Sequence, residues 1–514
     1  MINKTIYLVL VVILVFIIAS CKDAITSNPL ENKAPTTKLF LDSAYTVSKQ
    51  QSKLDMHWIG DDPDGLVIGY YISWDGLSWA FTTKNDSVFA LRIGAKDSSY
   101  VFHVAAVDNY GTGVYNSDVY QNGIHFGPEP FVDSNGDGKY EVGEPFTDIG
   151  RIDPHPATKT IPITNTAPTI AWASNTTVPA TSLPVMTFRW VVDDLDDVST
   201  VDSIRIALND TTNFVAVPGS VRSVTIYGTD FSSSFPMMKI FTEGNPSNAL
   251  SITLPGIKLN NTNTFYAQAV DIAGAKSPWI NSNAISKTGQ WYVQKPQGKI
   301  LLINDYVSSD SSTANSFYTT TLSSINATFD VYNIRTNDTI PYMNANFLQT
   351  LKLYSCVLWY TDYNTPSLNL AQATVNQYLT AHGKIAFSMQ FPINLTNSDL
   401  LGQLVDFLPI LNDTSYVRTS ILKNTKVSAA ANDPSFPELS VSGPIYRPRA
   451  FNLQPVGAKT IYTFPNKELS GSIGFKNSDN SLFFIGLPLH LLNGSATVPA
   501  LLKKVFTDFN ISLP

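Results

Sequence analysis

The sequence predicts a multidomain chain in which two all-β sandwiches precede an α/β doubly wound domain. Three observations lead there. Between residues 37 and 296, short alternating apolar segments are broken by Asp-, Gly- and Pro-rich turns, with almost no helical period. The landmarks of that pattern occur twice. From Gly298 the pattern changes to continuous apolar strands alternating with amphipathic segments, as in a parallel sheet covered by helices.

The first element is an export signal. Lys4 supplies a positive start and Ile6 to Ile18 form an unbroken apolar run. That run is shorter than the roughly 20 residues a bilayer span takes, but it suits a signal-peptide core. It ends in Ile18-Ala19-Ser20-Cys21, which resembles the lipobox of bacterial lipoproteins. The resemblance implies cleavage after residue 20, lipidation (palmitate included) of Cys21, and a partner in the membrane reached through the lipid anchor. Residues 1–20 are then the signal peptide, and 21–36 the lipidated Cys and a polar tether. Lys22-Asp23 resembles the charged signal that sends lipoproteins of the Bacteroidetes group to the cell exterior. The expected location is the cell envelope, in the outer membrane, surface-exposed or periplasmic.

Once Cys21 is lipidated, Cys356 is the one remaining thiol, so no disulfide can form within the mature chain. Its setting, Tyr354 to Trp359, marks it as a small buried hydrophobe. A net charge of −7 without a basic run argues against a nucleic-acid partner.

In the first sandwich (37–165), Leu54 to Trp58 alternates and stops at Asp61-Asp62-Pro63-Asp64-Gly65. A strand follows over Leu66 to Trp74, and another over Tyr100 to Val107. The second sandwich (166–296) repeats this: Trp190 matches Trp58, and Ala269-Val270-Asp271 matches Ala106-Val107-Asp108. A buried Trp with a late strand ending in Ala-Val-Asp resembles fibronectin type III or Ig-like sandwiches.

Within the first sandwich, an insertion over 127–153 carries the sharpest motif, Asp133-Ser134-Asn135-Gly136-Asp137-Gly138-Lys139-Tyr140-Glu141-Val142-Gly143-Glu144. It resembles the twelve-residue EF-hand or dockerin calcium loop. Asp133, Asn135 and Asp137 place side-chain oxygens at positions one, three and five, the Lys139 carbonyl serves seven, and Glu144 closes at twelve. Gly138 permits the turn at six. Prolines on both flanks, in Gly127-Pro128-Glu129-Pro130 and at Pro145, leave no room for two flanking helices. The expected cofactor is Ca2+ as a structural staple, with Asp148 and Asp153 as further candidate ligands.

In the last domain (297–514), strands are expected at Lys299 to Asp305, Thr328 to Ile334, Ser355 to Tyr360 and Lys384 to Met389. Helices are expected at Ser316 to Asn326, Phe347 to Leu353, Leu368 to His382 with Gly383 as C-cap, and Val498 to Phe509. The segments "KILLINDY", "CVLWYTD", "YLTAHGKIAFSMQ" and "NSLFFIGLPLHLL" resemble a flavodoxin-like fold of the class I glutamine amidotransferase type. That family's triad does not carry over. At the nucleophile position stands Ser388, with neither Cys nor flanking glycine, and two residues after His490 the expected acid is Leu492. A candidate ligand crevice remains at the strand ends, with Asp305, Asp362, Gln390 and His490. The histidines His57, His103, His125 and His155 show no metal-ligand spacing.

The sequence thus points to a non-catalytic envelope lipoprotein with a binding, adhesion or scaffolding role toward a glycan or envelope protein, stabilised by calcium. The alternative is an envelope hydrolase of unrecognised type using the α/β crevice.

Overall fold

The computed structural model describes residues 33–41, 53–90, 98–108, 119–127, 131–146, 152–163, 165–195, 198–307, 311–336, 340–362, 367–391, 398–413, 420–446, 448–463 and 471–513. Cys21 and the signal segment lie outside them. The chain divides into two compact units, residues 1–166 with 272–275 and residues 167–271 with 276–514.

The first unit contains β1 (Thr36–Leu41), β2 (Lys53–Asp61), β3 (Val67–Ser73), β4 (Ala80–Thr82), β5 (Asp86–Ala90), β6 (Ser98–Asp108), β7 (Val119–Gln121), β8 (Ile124–Gly127) and β9 (Ala157–Ile163). Two antiparallel sheets, ordered β1-β2-β5 and β4-β3-β6-β9, form a fibronectin type III-like sandwich. Alternation selects the core: Leu54, Met56 and Trp58 point inward from β2, and Phe102, Val104 and Ala106 from β6. The Trp58 ring lies 5.7 Å from that of Phe102, and its Nε1 donates to the Lys84 carbonyl at 3.0 Å. The β7/β8 hairpin and the twelve-residue loop both belong to the connection between β6 and β9.

The second unit opens with β10 (Thr169–Trp172), β11 (Thr181–Ser182), β12 (Val185–Asp193), β13 (Val201–Leu208), β14 (Val215–Pro218), β15 (Ser223–Gly228), β16 (Met238–Thr242) and β17 (Ala249–Leu254). They are followed by β18 (Asn261–Asn263), β19 (Phe265–Asp271), β20 (Ile280–Asn281) and β21 (Trp291–Val293). A sheet ordered β10-β12-β15-β16-β17 faces one ordered β14-β13-β19-β20 across a shared apolar core. Trp190 of β12 repeats the part of Trp58: it is 1% exposed, and its Nε1 donates to a carbonyl, that of Val221, at 3.0 Å. The two Ala-Val-Asp triplets likewise end equivalent buried strands, β6 and β19.

The rest of this unit is built on one mixed sheet. Its elements are β22 (Ile300–Asp305), α1 (Ser311–Ser324), β23 (Phe329–Asn333), α2 (Met343–Leu351), β24 (Cys356–Thr361), α3 (Leu368–Thr380), β25 (Lys384–Ser388) and α4 (Ser398–Val405). Further along come β26 (Ile410–Asp413), the two-residue strands β27 (Ser420–Ile421), β28 (Lys426–Val427), β29 (Leu439–Ser440) and β30 (Ile445–Tyr446), then β31 (Phe451–Leu453), β32 (Ala458–Thr463), β33 (Ser472–Asn477), β34 (Leu482–Ile485) and α5 (Val498–Asp508). The parallel part runs β23-β22-β24-β25-β34, and β33, β31 and β26 extend it antiparallel. The sheet is therefore mixed where the apolar runs alone suggested an all-parallel one.

Helices cover both faces, which is why β24 is buried along its whole length. Ala314, Tyr318 and Leu322 of α1 join Leu501, Val505 and Phe506 of α5 on one face. Phe347, Leu348 and Leu351 of α2 join Leu370, Val375 and Tyr378 of α3 on the other. Every residue from Ala345 to Leu351 is buried, because α2 lies between this sheet and the sandwich strands β12 and β15. Its polar side chains are satisfied across that seam: Asn346 donates to Thr187 Oγ1 at 3.4 Å, and Gln349 to the Pro246 carbonyl at 2.9 Å.

At the end of α3 the left-handed residue is His382 (φ 65°), not Gly383. The amides of His382 and Gly383 return to the carbonyls of Leu379 and Tyr378 in a Schellman arrangement. Glycine is required at 383 for space: a Cβ there would meet the Tyr378 ring at 2.3 Å. Among the described residues no helix is long and apolar enough to cross a membrane.

Candidate functional site

Two places concentrate chemistry. The first is the loop over 131–146. A bridge between Phe131 and Phe146 closes its base, and the Val132 amide donates to the Pro145 carbonyl at 2.8 Å. Tyr140 packs edge-on to both phenylalanines, at 5.8 and 6.0 Å, so the apolar residue at position eight anchors the loop.

Above that base the carboxylates turn inward onto backbone amides. Asp133 accepts from Gly136 (2.6 Å) and Gly138 (2.8 Å), Asn135 from Asp137 (2.9 Å), and Asp137 from Lys139 (2.8 Å). Glu144, 8% exposed, accepts from Ser134 (2.7 Å) and Glu141 (3.0 Å), which ties position twelve back to position two. The Gly138 amide, seconded by that of Gly136, holds the Asp133 carboxyl below the usual carboxylate range. Gly138 has the positive φ (76°) that the sixth position needs. The donors are hard oxygens of the kind calcium takes, and each carboxylate keeps lone pairs beyond those used by the amides.

Among the described residues no group of three or more His, Cys, Asp or Glu is gathered to hold a metal ion. Two of the loop's five oxygen donors, Asn135 and the Lys139 carbonyl, are of other types. Asp148 lies outside the described residues. Asp153 is buried against the end of β6, its amide donating to the Ala106 carbonyl at 2.9 Å and its Oδ1 accepting from His155 at 2.8 Å.

The second place is the carboxyl end of the parallel strands. Asp305, the last residue of β22, is fully buried. It accepts from the Ser367 amide (2.7 Å), the Ser367 hydroxyl (3.0 Å) and Trp359 Nε1 (3.4 Å), and it pairs with Arg335 at 2.9 Å. Burial outweighs these partners and leaves its carboxyl above the ordinary carboxylate range. Asp362, just past β24, is also buried and accepts the Val307 amide at 2.9 Å. Gln390 follows β25, and its carbonyl accepts from Thr361 at 3.2 Å. His490 packs its ring against Tyr306, Phe317 and Tyr318, at 5.8, 6.3 and 6.3 Å.

Ser388 decides the chemistry of this end. Its hydroxyl donates to the Leu487 carbonyl (3.0 Å) and accepts from the Leu489 amide (3.0 Å) and the Tyr318 hydroxyl (2.8 Å). One donor and two lone pairs are thereby used, none of them on His490. Ser388 is fully buried and does not have the positive φ of a strained elbow. Burial also pushes the Tyr318 hydroxyl and the Cys356 thiol far above their ordinary ranges, so neither ionises near neutrality.

The expected crevice residues thus share one end of the sheet. Sequence reasoning missed their partners Arg335, Ser367 and Tyr318. Ser367 carried a signal, standing where an N-cap would precede α3, yet its hydroxyl turns to Asp305 instead.

No known protein family matches the sequence, and no curated protein matches it. Solved structures it is similar to include fibronectin(III)-like modules of Clostridium thermocellum CbhA, with 9% identity, 50% of this chain and 95% of that one covered, and a TM-score of 0.17. Others are the chicken CNTN1 FN1-FN3 domains (12%, 52% and 69%, TM-score 0.16) and domains 4 and 5 of the S-layer protein SbsC (11%, 43% and 98%, TM-score 0.15). Scores this low place the chain in none of those families.

Proposed function

We propose that this chain is a lipid-anchored protein of the cell envelope with a binding, adhesion or scaffolding role, in which the amidotransferase-like region is non-catalytic. One observation supports this reading above the others: Ser388, at the nucleophile position, and Asp305, the buried acid at the same strand ends, are consumed by the fold. Ser388 has no free lone pair, and Asp305 is shared among an arginine, an indole and both donors of one serine. A nucleophile or base needs a pair free for the substrate.

The lipobox at Cys21 supports the anchor. The oxygen donors of Asp133, Asn135, Asp137, Lys139 and Glu144 support calcium as the ion that fixes the connection between β6 and β9. When bound, calcium would add ligand bonds to a loop otherwise held by its own amides and by three aromatic rings.

The test pairs labelling with assay. In bacteria fed a palmitate analogue, the full chain is expected to carry label in the membrane fraction and to lose it as Cys21→Ser. The purified protein is expected to turn over no ester, amide or glycoside substrate. Turnover abolished by Ser388→Ala or His490→Ala would replace this reading with a hydrolase.

A further inference from the structure

We infer that a cleft at the seam between the second sandwich and α2 is a binding site for an acidic saccharide, with Arg189 taking the carboxylate and Tyr342 the sugar ring. The inference rests on the binding reading above and gives it a place and a ligand class. The cleft, about 570 Å³ in volume, is lined by Ser174, Asn175 and Thr177 after β10, by Arg189 on β12, and by Ile340, Pro341 and Tyr342 before α2.

Its lining has a chemical bias. It holds one cation and no acid, together with hydroxyl and amide groups that both donate and accept. Arg189 is exposed, its Cζ lies 6.0 Å from the centroid of the Tyr342 ring, and among the described residues it makes no ion pair. A guanidinium so placed offers a planar fork matched to a carboxylate.

Tyr342 is held in place rather than left loose. It sits in the left-handed region (φ 49°, ψ 49°), which strains a non-glycine residue. Its ring lies so close to Gly244 that a Cβ there would come within 2.4 Å of it. The neighbouring Ile340 is buried in the sandwich core. A strained backbone, a glycine cleared for the ring and a buried anchor thus present an aromatic side chain that is still 42% exposed. Such a ring gives a sugar's C–H face an apolar platform, while Ser174 and Asn175 supply partners for its hydroxyls. A pyranose carrying a carboxylate uses the arginine, the aromatic face and the hydroxyl and amide groups at once, so the acidic saccharide is the occupant inferred, and a peptide carboxylate is the alternative that the test separates.

The probe is trigalacturonate, titrated into the full chain by calorimetry in calcium-free buffer because such oligomers chelate calcium. Neutral galactotriose and trialanine run alongside. Trigalacturonate is expected to bind at one site, with galactotriose and trialanine each about tenfold weaker, and Arg189→Ala about tenfold weaker for the acid alone. Tyr342→Gly, which keeps the backbone conformation and removes the ring, should weaken both saccharides. Absence of trigalacturonate binding overturns the inference, as does equal affinity in Arg189→Ala or tighter binding of trialanine. Binding that survives both substitutions would sink this site while leaving the binding reading intact; cleavage of the oligomer would sink that reading too.

Discussion

Replacing Asp305 with Asn changes one atom at the centre of the strand-end network, and the structure lets its cost be worked out. Asp305 is fully buried and faces four donors: the Ser367 amide and hydroxyl, the Trp359 indole and the Arg335 guanidinium. An asparagine keeps one acceptor and turns an NH2 toward the rest. At least one buried donor then loses its partner, at about 1–3 kcal/mol. Loss of the ion pair adds little, about 0–1 kcal/mol, because Arg335 is 39% exposed and water screens it. Part of this is offset, since burial already disfavours the charged carboxylate that Asn removes. The net is a loss of about 2 kcal/mol. With a urea slope of roughly 3 kcal/mol/M for a unit this large, the midpoint should fall by about 0.7 M. Urea unfolding followed by tryptophan fluorescence reads the change. An unmoved midpoint would refute the claim that Asp305 is a structural hub, and an unmoved midpoint with lost ligand binding would return it to the candidate crevice.

Three other outcomes are expected. Gly383→Ala drives a Cβ into the Tyr378 ring, whose hydroxyl donates to the Tyr354 carbonyl at 2.9 Å, and should cost about 1–3 kcal/mol in thermal melting. Ser388→Ala orphans the Leu489 amide and should cost about 1–3 kcal/mol by urea unfolding while leaving hydrolysis assays blank. Acid should weaken the second unit through Asp433 and Asp508. Burial alone would raise the Asp433 carboxyl, but hydrogen bonds from Ser435 and Lys459 and the charges of Lys476 and Lys459 outweigh it and carry it down to about 2. Asp508 is lowered by the same balance with Lys504 and Lys476. Because the folded values lie below the unfolded ones, this stability is present above about pH 4 and lost as pH falls toward 2. Melting between pH 2 and 6 should show that slope, reduced in Lys476→Met.

Much of the fold is legible because burial writes itself into local pattern. The parallel strands read as unbroken apolar runs since helices cover both faces: Ile300–Asp305, Cys356–Thr361 and Lys384–Ser388 fall within a residue or two of expectation. The helix ahead of Cys356 is expected at Phe347 to Leu353 and is Met343–Leu351; burial on all sides erases its amphipathic period. The helix after β22 begins at Ser311 rather than Ser316, because its first turn, Ser-Ser-Thr-Ala, has no apolar stripe. The antiparallel extension β26, β31 and β33, and the two-residue strands near it, give no such signal. Strands of two to six residues paired over long separations leave no period to detect.

The candidate sites divide in the same way. The twelve-residue loop is closed by local hydrogen bonds, so its spacing shows in sequence. The strand-end network joins Asp305 to Arg335, Trp359 and Ser367 through the sheet, and the cleft joins Arg189 to Tyr342 across a seam; sequence spacing carries neither.

The most direct test of the proposed calcium staple is calorimetric titration of the full chain with calcium, with thermal melting in parallel and Asp137→Ala as control. One site and a raised melting temperature are expected, both lost in the variant. Absence of binding, or equal binding in Asp137→Ala, would contradict the calcium staple and leave the twelve-residue loop a hydrogen-bonded acidic turn.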